Sequence, residues 1–562
     1  MVDTGSRKLG DFLTAAVILL LWVNLNLLIS GLNLQIDLTR DKKHTLSKPV
    51  KQLLKGLDDV VYIDVYLEGD FPPGFQRLKN AARDMLNEFR DYGGTNIQYN
   101  FIDPDKIQGP AGKNDLVKYL GNLGIQPTNL FSNENGRRTE KLIFPGAVIS
   151  YGGRESGVML LKGNKAGTPE ERLNQSIEGM EYELASGIGK LVNVDRKRIG
   201  MVTGNGELDS LSNASAVATL KEYYDVFNAD LNSLPSLKGF DALVMAKPAT
   251  PFSEMEIYKL DQYVMNGGRI LFFIDVLHVD EDSISREGTI GYPMDLNLDD
   301  LLFRYGVRIN KDFVLDLNAG AFPVVTDNLG NSPKFQLMQW PFYPLLNQFG
   351  NHPIVRNMDA IYSKYVSSID TVKAGGIRKI PLVFSSPYTR LVNPPVRVSL
   401  NDLRAQLKPE LFNHGPAMVS CLLEGTFTSL FKNRFLPGKA DRKTFKAESL
   451  PTRMVVCSDG DIIRSNIDNR SGAPYELGYD PFMKVTFANR DFLLNAVSYL
   501  LDENGLILSR SREVTMRPLD KIRISEDKTT WQMINLALPV VVVIIFGITR
   551  AWFRKRKFSG SR

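Results

Sequence analysis

Residues 198–207 read RIGMVTGNGE, residues 242–248 read ALVMAKP and residues 268–275 read GRILFFID. Each is a short apolar run bounded by glycine, proline or an acid, the pattern of a strand buried on both faces. Phe252–Gly267, between the second and third runs, has helical periodicity and closes on a Gly-Gly turn. Strands separated by helices of this length predict a parallel, doubly wound α/β sheet with right-handed crossovers. RMVVCSDGDII (453–463) repeats the strand-then-turn form and is expected to complete the sheet. Residues 290–450 are proline-rich in places, as in FSSPYTRLVNPPVRV, and are read as a large insertion or second lobe. DFLLNAVSYLL (491–501) predicts an amphipathic helix, and Gly505–Ile522 a strand-like return. The α/β domain is placed at 196–510 and a return segment at 511–533.

Upstream, 35–170 reads as a separate extracytoplasmic module. Ser47 and Pro49 mark a helix start, with Leu53, Leu54 and Leu57 following at helical spacing. VVYIDVYL (60–67) predicts a strand, Phe75–Tyr92 a helix stopped by Gly93-Gly94, and Asn96–Asp103 a second strand; Lys141–Ser150 and Gly157–Leu161 add two more. This β-α-β unit with paired strands is similar to a thioredoxin-type arrangement. The absence of CxxC removes the redox reading and leaves a structural or docking module. Residues 171–195 form a connecting helix, with Ile177, Met180, Leu184, Ile188 and Leu191 on one stripe, expected to pack between the domains.

The ends are apolar. Residues 12–34 (FLTAAVILLLWVNLNLLISGLNL) contain no charge and suffice for the ~30 Å hydrocarbon core. Residues 534–553 form a second span, with Pro539 near its start, and Arg554, Lys555, Arg556 and Lys557 are a basic stop that anchors topology. Leu536, Leu538, Val542 and Ile545 are expected to face a membrane partner. Both tails, 1–11 and 554–562, are then cytoplasmic, and the bulk of the chain is periplasmic at a bacterial inner membrane. The 562 residues carry 68 basic and 63 acidic side chains, a net +5, and the pI of ≈ 8.8 invites a nucleic-acid partner. The first eleven residues hold two charges of each sign, and the stretch from Arg550 holds six basic and no acidic residues. The segment between therefore holds 60 basic and 61 acidic residues. The excess belongs to the C-terminal tail, and no nucleic acid is expected as a partner.

No GxxxxGK[ST] occurs, since GPAGK (109–113) has the wrong spacing, so ATP hydrolysis by this chain is not expected. His44, His278, His352 and His414 are too dispersed for a metal motif. Thr203-Gly204-Asn205-Gly206-Glu207 is a G-x-G turn after a strand, but Asp209 stands where a third glycine would complete a dinucleotide fingerprint. The α/β domain resembles the class I glutamine amidotransferase-like fold. Cys457 follows a strand in that setting, but its neighbours Val456, Ser458 and Asp459 do not make a nucleophile elbow. Glu207, Asp275, Asp459 and Asp461 are expected at the C-terminal edge of the sheet, as a vestigial ligand or divalent-metal edge or as acidic turn caps. Cys421 and Cys457 are compatible with one disulfide, which sequence leaves open. No cofactor and no catalytic residue are expected. The alternatives are a membrane-tethered amidotransferase-like or hydrolase enzyme acting on envelope substrates, and a glycan-binding envelope module using Gln339-Trp340-Pro341-Phe342-Tyr343.

The features together resemble the GldG family, auxiliary components of gliding-associated ABC transporters of the Bacteroidota. The resemblance rests on Ile36-Asp37-Leu38-Thr39, His44-Thr45-Leu46-Ser47, Tyr99-Asn100-Phe101-Ile102-Asp103-Pro104, Glu181-Tyr182-Glu183-Leu184, Thr203–Glu207, Asn266-Gly267-Gly268-Arg269, Ser458-Asp459-Gly460-Asp461, Asn489–Ala496 and the terminal Leu538-Pro539 span, in that order. It implies a non-catalytic partner of a GldF-like permease subunit and a GldA-like ATPase subunit, in contact with membrane lipid and active in gliding motility or surface-protein export. A homodimer within the complex is compatible with it. The family pattern carries His where this chain has Asn205, which lowers any catalytic or metal role for that turn.

Overall fold

A computed structural model describes residues 12–13, 16–24, 45–106, 110–134, 137–162, 168–192, 196–284, 288–329, 332–400, 403, 407–438, 442–503, 505–511 and 527–559. Expectations for 1–11, for 25–44 with the second half of the first apolar run, and for most of the return segment fall outside those residues. Residues 1–512 and 513–562 are separate compact units.

The first unit opens with α1 (Lys48–Lys55), β1 (Val61–Val65), α2 (Pro73–Gly93) and β2 (Ile97–Phe101). α3 (Pro110–Asn122) and the hairpin β3 (Thr128–Glu134) and β4 (Arg137–Ile143) follow, then β5 (Gly146–Tyr151) and β6 (Arg154–Met159). The sheet order is β2-β1-β5-β6, with β1 and β2 parallel and the other pairs antiparallel. Val61, Ile63 and Val65 are buried while Tyr62 is exposed, the two-residue alternation of a strand with one core face. The single strand expected at 141–150 is two strands. Phe144-Pro145 separates β4 from β5, because proline has no N–H to continue a ladder.

α4 (Pro169–Val192) is the connecting helix. Its stripe of Leu173, Met180, Leu184, Ile188 and Leu191 enters the core of this module, while Tyr182 enters a core of the α/β domain. Buried Glu181 on the same helix accepts the backbone N–H of Ser47 at 2.6 Å, which fixes the start of α1.

The large sheet contains β7 (Arg198–Thr203), β8 (Asp225–Asp230), β9 (Ala242–Ala246), β10 (Arg269–Phe273), β11 (Gln348–Phe349), β12 (Ile377–Phe384), β13 (Met418–Gly425) and β14 (Thr452–Cys457). Its order is β11-β12-β13-β14-β10-β9-β7-β8. The half from β14 to β8 is parallel, as expected. The other half is antiparallel and built by the insertion. The insertion is therefore not a separate lobe in that part: three of its segments hydrogen-bond into the main sheet. Between β7 and β8 lies α5 (Ala214–Lys221). Between β9 and β10, α6 (Glu254–Met265) begins at a capping box in which Ser253 and Glu256 satisfy each other's backbone N–H. α7 (Asp299–Tyr305) opens the insertion, and α8 (Asn489–Leu501) packs Phe492, Leu493, Ala496, Val497 and Leu500 on the sheet face opposite α6.

The strand-like return is instead a 3-10 helix, Leu506–Ser511, where described. Leu506 packs on the N-terminal core and Ile507 on the α/β core. A Cβ added to Gly505 would lie 3.7 Å from Pro49 Cγ, so the last described residues of this unit return to its first helix.

The second unit is α9 (Lys528–Ser559). Among the described residues, Lys528–Phe553 is the one helix long and apolar enough to cross a membrane. It starts earlier than the span read from sequence, so Pro539 lies inside the helix rather than near its start. Residues 12–13 and 16–24 of the first apolar run are helical, and all but Ala16, which is half-buried, are exposed.

Candidate functional site

Lys247 directly follows β9, Asp275 follows β10, and Asp459, Gly460 and Asp461 follow β14. Parallel strands place their C-terminal ends on one edge, so residues far apart in sequence converge there. One oxygen each from Asp275, Asp459 and Asp461 lies within 4.8 Å of the others, and all three residues are buried. Lys247 is seated among them, its Nζ 2.9 Å from Asp275 Oδ2 and 2.5 Å from Asp461 Oδ2. Asp275 Oδ1 accepts the Gly460 N–H at 2.6 Å, and Asp459 accepts the N–H of Asp461 at 2.7 Å and of Lys364 at 3.0 Å. Further charged side chains close the network. Arg464 Nη1 lies 3.2 Å from Glu281 and 3.3 Å from Asp461, and Lys364 Nζ lies 3.3 Å from Glu281.

Two backbone features allow this close approach. Lys247 adopts φ 53°, in the left-handed region, at a cost of ~1–2 kcal/mol. Gly460 faces it, and a Cβ there would sit 2.5 Å from Lys247 Cβ and 3.0 Å from its Cα. Burial opposes ionisation of Asp461, but Lys247, Lys364 and Arg464 outweigh it and hold that carboxyl at about 2. Asp275 is pushed up by burial, reinforced by Asp461 and opposed by Lys247. Asp459 is pushed up by burial and by Asp461 and Asp275. Burial also opposes the charge on Lys247, and the two aspartates override it and raise its pKa. The chain thus fills a three-carboxylate pocket of metal-site form with its own ammonium.

Glu207 lies on the same edge but outside this network. Its carboxylate folds back on its own turn and accepts the Asn205 N–H at 2.8 Å. Gly204 at φ 122° and Gly206 at φ 69° permit that turn. The Asn205 N–H, a donor of the kind that meets phosphate in a G-x-G turn, is therefore occupied by the chain's own acid. Burial pushes the Glu207 carboxyl up, and nearby Glu256 adds to it.

The remaining residues singled out from sequence behave as core. Cys421 and Cys457 are free and fully buried. Cys421 stands opposite Val456, and Cys457 opposite Ser420, so the thiols project from opposite faces of the sheet, one into each core. That geometry removes the disulfide. Burial raises the Cys421 thiol to about 12 and that of Cys457 further, the reverse of an activated nucleophile. Trp340, Phe342 and Tyr343 are buried in an aromatic cluster with Tyr365, which removes them as an exposed sugar platform. On α9, Leu536, Leu538, Val542 and Ile545 are exposed, as are Lys555 and Arg556. Sequence reading missed Lys247, Glu281, Lys364 and Arg464. A lysine placed immediately after a fully apolar strand, before proline, was the one local signal for Lys247.

Residues 196–496 match the family described as ABC-type uncharacterized transport system, and residues 40–150 match a domain of unknown function, DUF7088. An uncharacterized protein of Borreliella burgdorferi is 23% identical over 573 residues, spanning 99% of this chain and 100% of its own length. The mmIFT52 N-terminal domain is a similar solved structure at a TM-score of 0.30 and 11% identity, covering 54% of this chain and 96% of that one.

Proposed function

The chain belongs to the ABC-type uncharacterized transport system family, and from that premise we propose that it is a non-catalytic auxiliary subunit whose body couples to a permease and an ATPase. The family match over residues 196–496 carries this reading. The buried thiols and the internally neutralised carboxylates support the non-catalytic part. The apolar helix Lys528–Phe553 supports attachment to the membrane. Its exposed Leu536, Leu538, Val542 and Ile545 are the side chains through which the permease would be met, by close packing rather than by a hydrophobic gradient.

The finer reading follows the resemblance to the GldG family. Two spans hold a periplasmic body, with a thioredoxin-like module joined to an amidotransferase-like domain, and the partners are GldF-like and GldA-like subunits serving gliding motility or surface-protein export. Its support is the ordered set of sequence matches and the basic Arg554–Lys557 cluster. The body acts as a scaffold or lever moved by the ATP-driven permease. Purification from detergent with the native neighbours tests the assignment. Co-elution with a permease and an ATPase subunit is expected; a chain that elutes alone at every detergent and salt condition overturns it.

A further inference from the structure

We propose that the C-terminal end of α9 is a docking site for anionic phospholipid headgroups, gathered round the helix by Arg554, Lys555, Arg556 and Lys557. The proposal rests on the membrane attachment of α9 proposed above, and adds the class of lipid and the end of the helix that takes it.

Three observations carry it. The first is reach. Trp531 and Trp552 are exposed aromatic residues near the two ends of the apolar stretch. Their separation along the helix is about 32 Å at a rise of ~1.5 Å per residue, close to the ~30 Å hydrocarbon core whose two interfaces tryptophan marks. α9 does not stop at Trp552 but runs on to Ser559. Positions 554–557 therefore lie roughly 3–8 Å beyond the aromatic belt, at headgroup depth. Arg556 is tied back to the belt, its guanidinium 5.2 Å from the centre of the Trp552 ring.

The second is the balance of charge. α9 contains no acidic residue, so within the helix these cations have no counter-ion. At the other end Lys528 stands beside Asp527, which leaves no surplus there. The third is distribution about the axis. Consecutive helical positions step by ~100°, so positions 554–557 encircle the helix, and Lys555 and Arg556 are exposed. A soluble polyanion or a protein face covers one side of a helix, whereas bilayer lipid surrounds it. A zwitterionic headgroup carries its own ammonium beside the phosphate and has no net charge to offer. An anionic headgroup has, and each Lys or Arg beside it contributes about fivefold in affinity.

The test uses the full-length chain with Trp22→Phe and Trp531→Phe. Trp552 then reports the lipid around it, while Trp340 stays in the core of the body. The chain is reconstituted in mixed phosphatidylglycerol and phosphatidylcholine bilayers, with brominated acyl chains on one lipid or the other. Quenching is expected to show phosphatidylglycerol preferred at least about fivefold beside Trp552, a preference that weakens at high salt. Changing Arg554, Lys555, Arg556 and Lys557 together to Gln is expected to abolish it. Exchanging Lys and Arg at the same four positions is expected to keep it. Flotation with pure phosphatidylcholine vesicles after an alkaline wash separates the two readings. A chain that fails to float overturns the membrane attachment and this proposal with it. A chain that floats but shows no preference, or whose preference survives the four glutamines, overturns this proposal alone and leaves the basic ring to a soluble polyanion or a protein face.

Discussion

Lys247→Ala reports directly on the charge network at the sheet edge. The ammonium serves Asp275 at 2.9 Å and Asp461 at 2.5 Å, and without it three buried carboxylates lie within 4.8 Å of one another. Deleting one partner of a buried ion pair costs ~3–5 kcal/mol. Lys247 keeps 23% of its side chain exposed, and Lys364 and Arg464 remain in the network, so the lower end, ~3 kcal/mol, is expected. Lys247→Gly separates backbone from charge. It removes the same ammonium but relieves the left-handed conformation, and should recover ~1 kcal/mol relative to the alanine variant. The vacated centre offers three carboxylates to a hard cation, so millimolar Mn²⁺ should raise the thermal midpoint of Lys247→Ala while leaving the unsubstituted protein unchanged. The pH dependence has a definite sign. Asp461 is held at about 2 against an ordinary 3.8, so its contribution is present above pH ~3.8 and is lost as the pH falls towards 2. Removing Lys247 should shift that acid limb to higher pH. Tryptophan fluorescence followed through thermal unfolding, with and without Mn²⁺, measures all of this. A Lys247→Ala midpoint equal to that of the unsubstituted protein refutes the ion-pair argument, and indifference of that variant to Mn²⁺ refutes the convergence of the carboxylates.

Three further outcomes follow from the geometry. His352 is held at about 4, mainly by burial, so stability is complete above pH ~6.5 and falls as the pH drops from there towards 4; His352→Asn, which retains an acceptor for the Ile354 N–H, should flatten the midpoint-against-pH curve in that window, and an unchanged curve contradicts the assignment. Cys421 and Cys457 should both resist iodoacetamide in the native protein and both react after denaturation without reductant, whereas a species that needs reductant to label contradicts the opposed-face geometry. Gly460→Ala should cost ~1–3 kcal/mol because its Cβ meets Lys247 at 2.5 Å; a midpoint within ~0.5 kcal/mol of the unsubstituted protein removes the close-approach argument.

The parallel half of the large sheet was legible because β7, β9, β10 and β14 are apolar runs with turn residues at their ends. β8 escaped because DVFNAD is half polar: it is an edge strand with only β7 beside it, so its pattern carries little core signal. β12 and β13 escaped for a different reason. Pro381 inside β12, where the register shifts, and the mixed periodicity around it hide a pairing that is set by the distant β14. At the sheet edge, Asp275, Asp459 and Asp461 were legible as turn acids following strands. Their counter-ions were not: Lys364 is brought in by the insertion and Lys247 by the end of β9, and Arg464, though only three residues from Asp461, sits in a stretch with no pattern of its own. Glu207 shares the edge, yet local turn geometry takes its carboxylate away from the cluster.

The approach of Gly505 to Pro49 puts the first and last described segments of this unit side by side, with a narrow gap between them. Both segments rest on α4, which holds the start of α1 through Glu181 and the Ser47 N–H and carries Leu506–Ser511 against it. The same closure means that a short peptide bridging the gap, with new termini opened in an exposed loop, leaves every strand pairing intact.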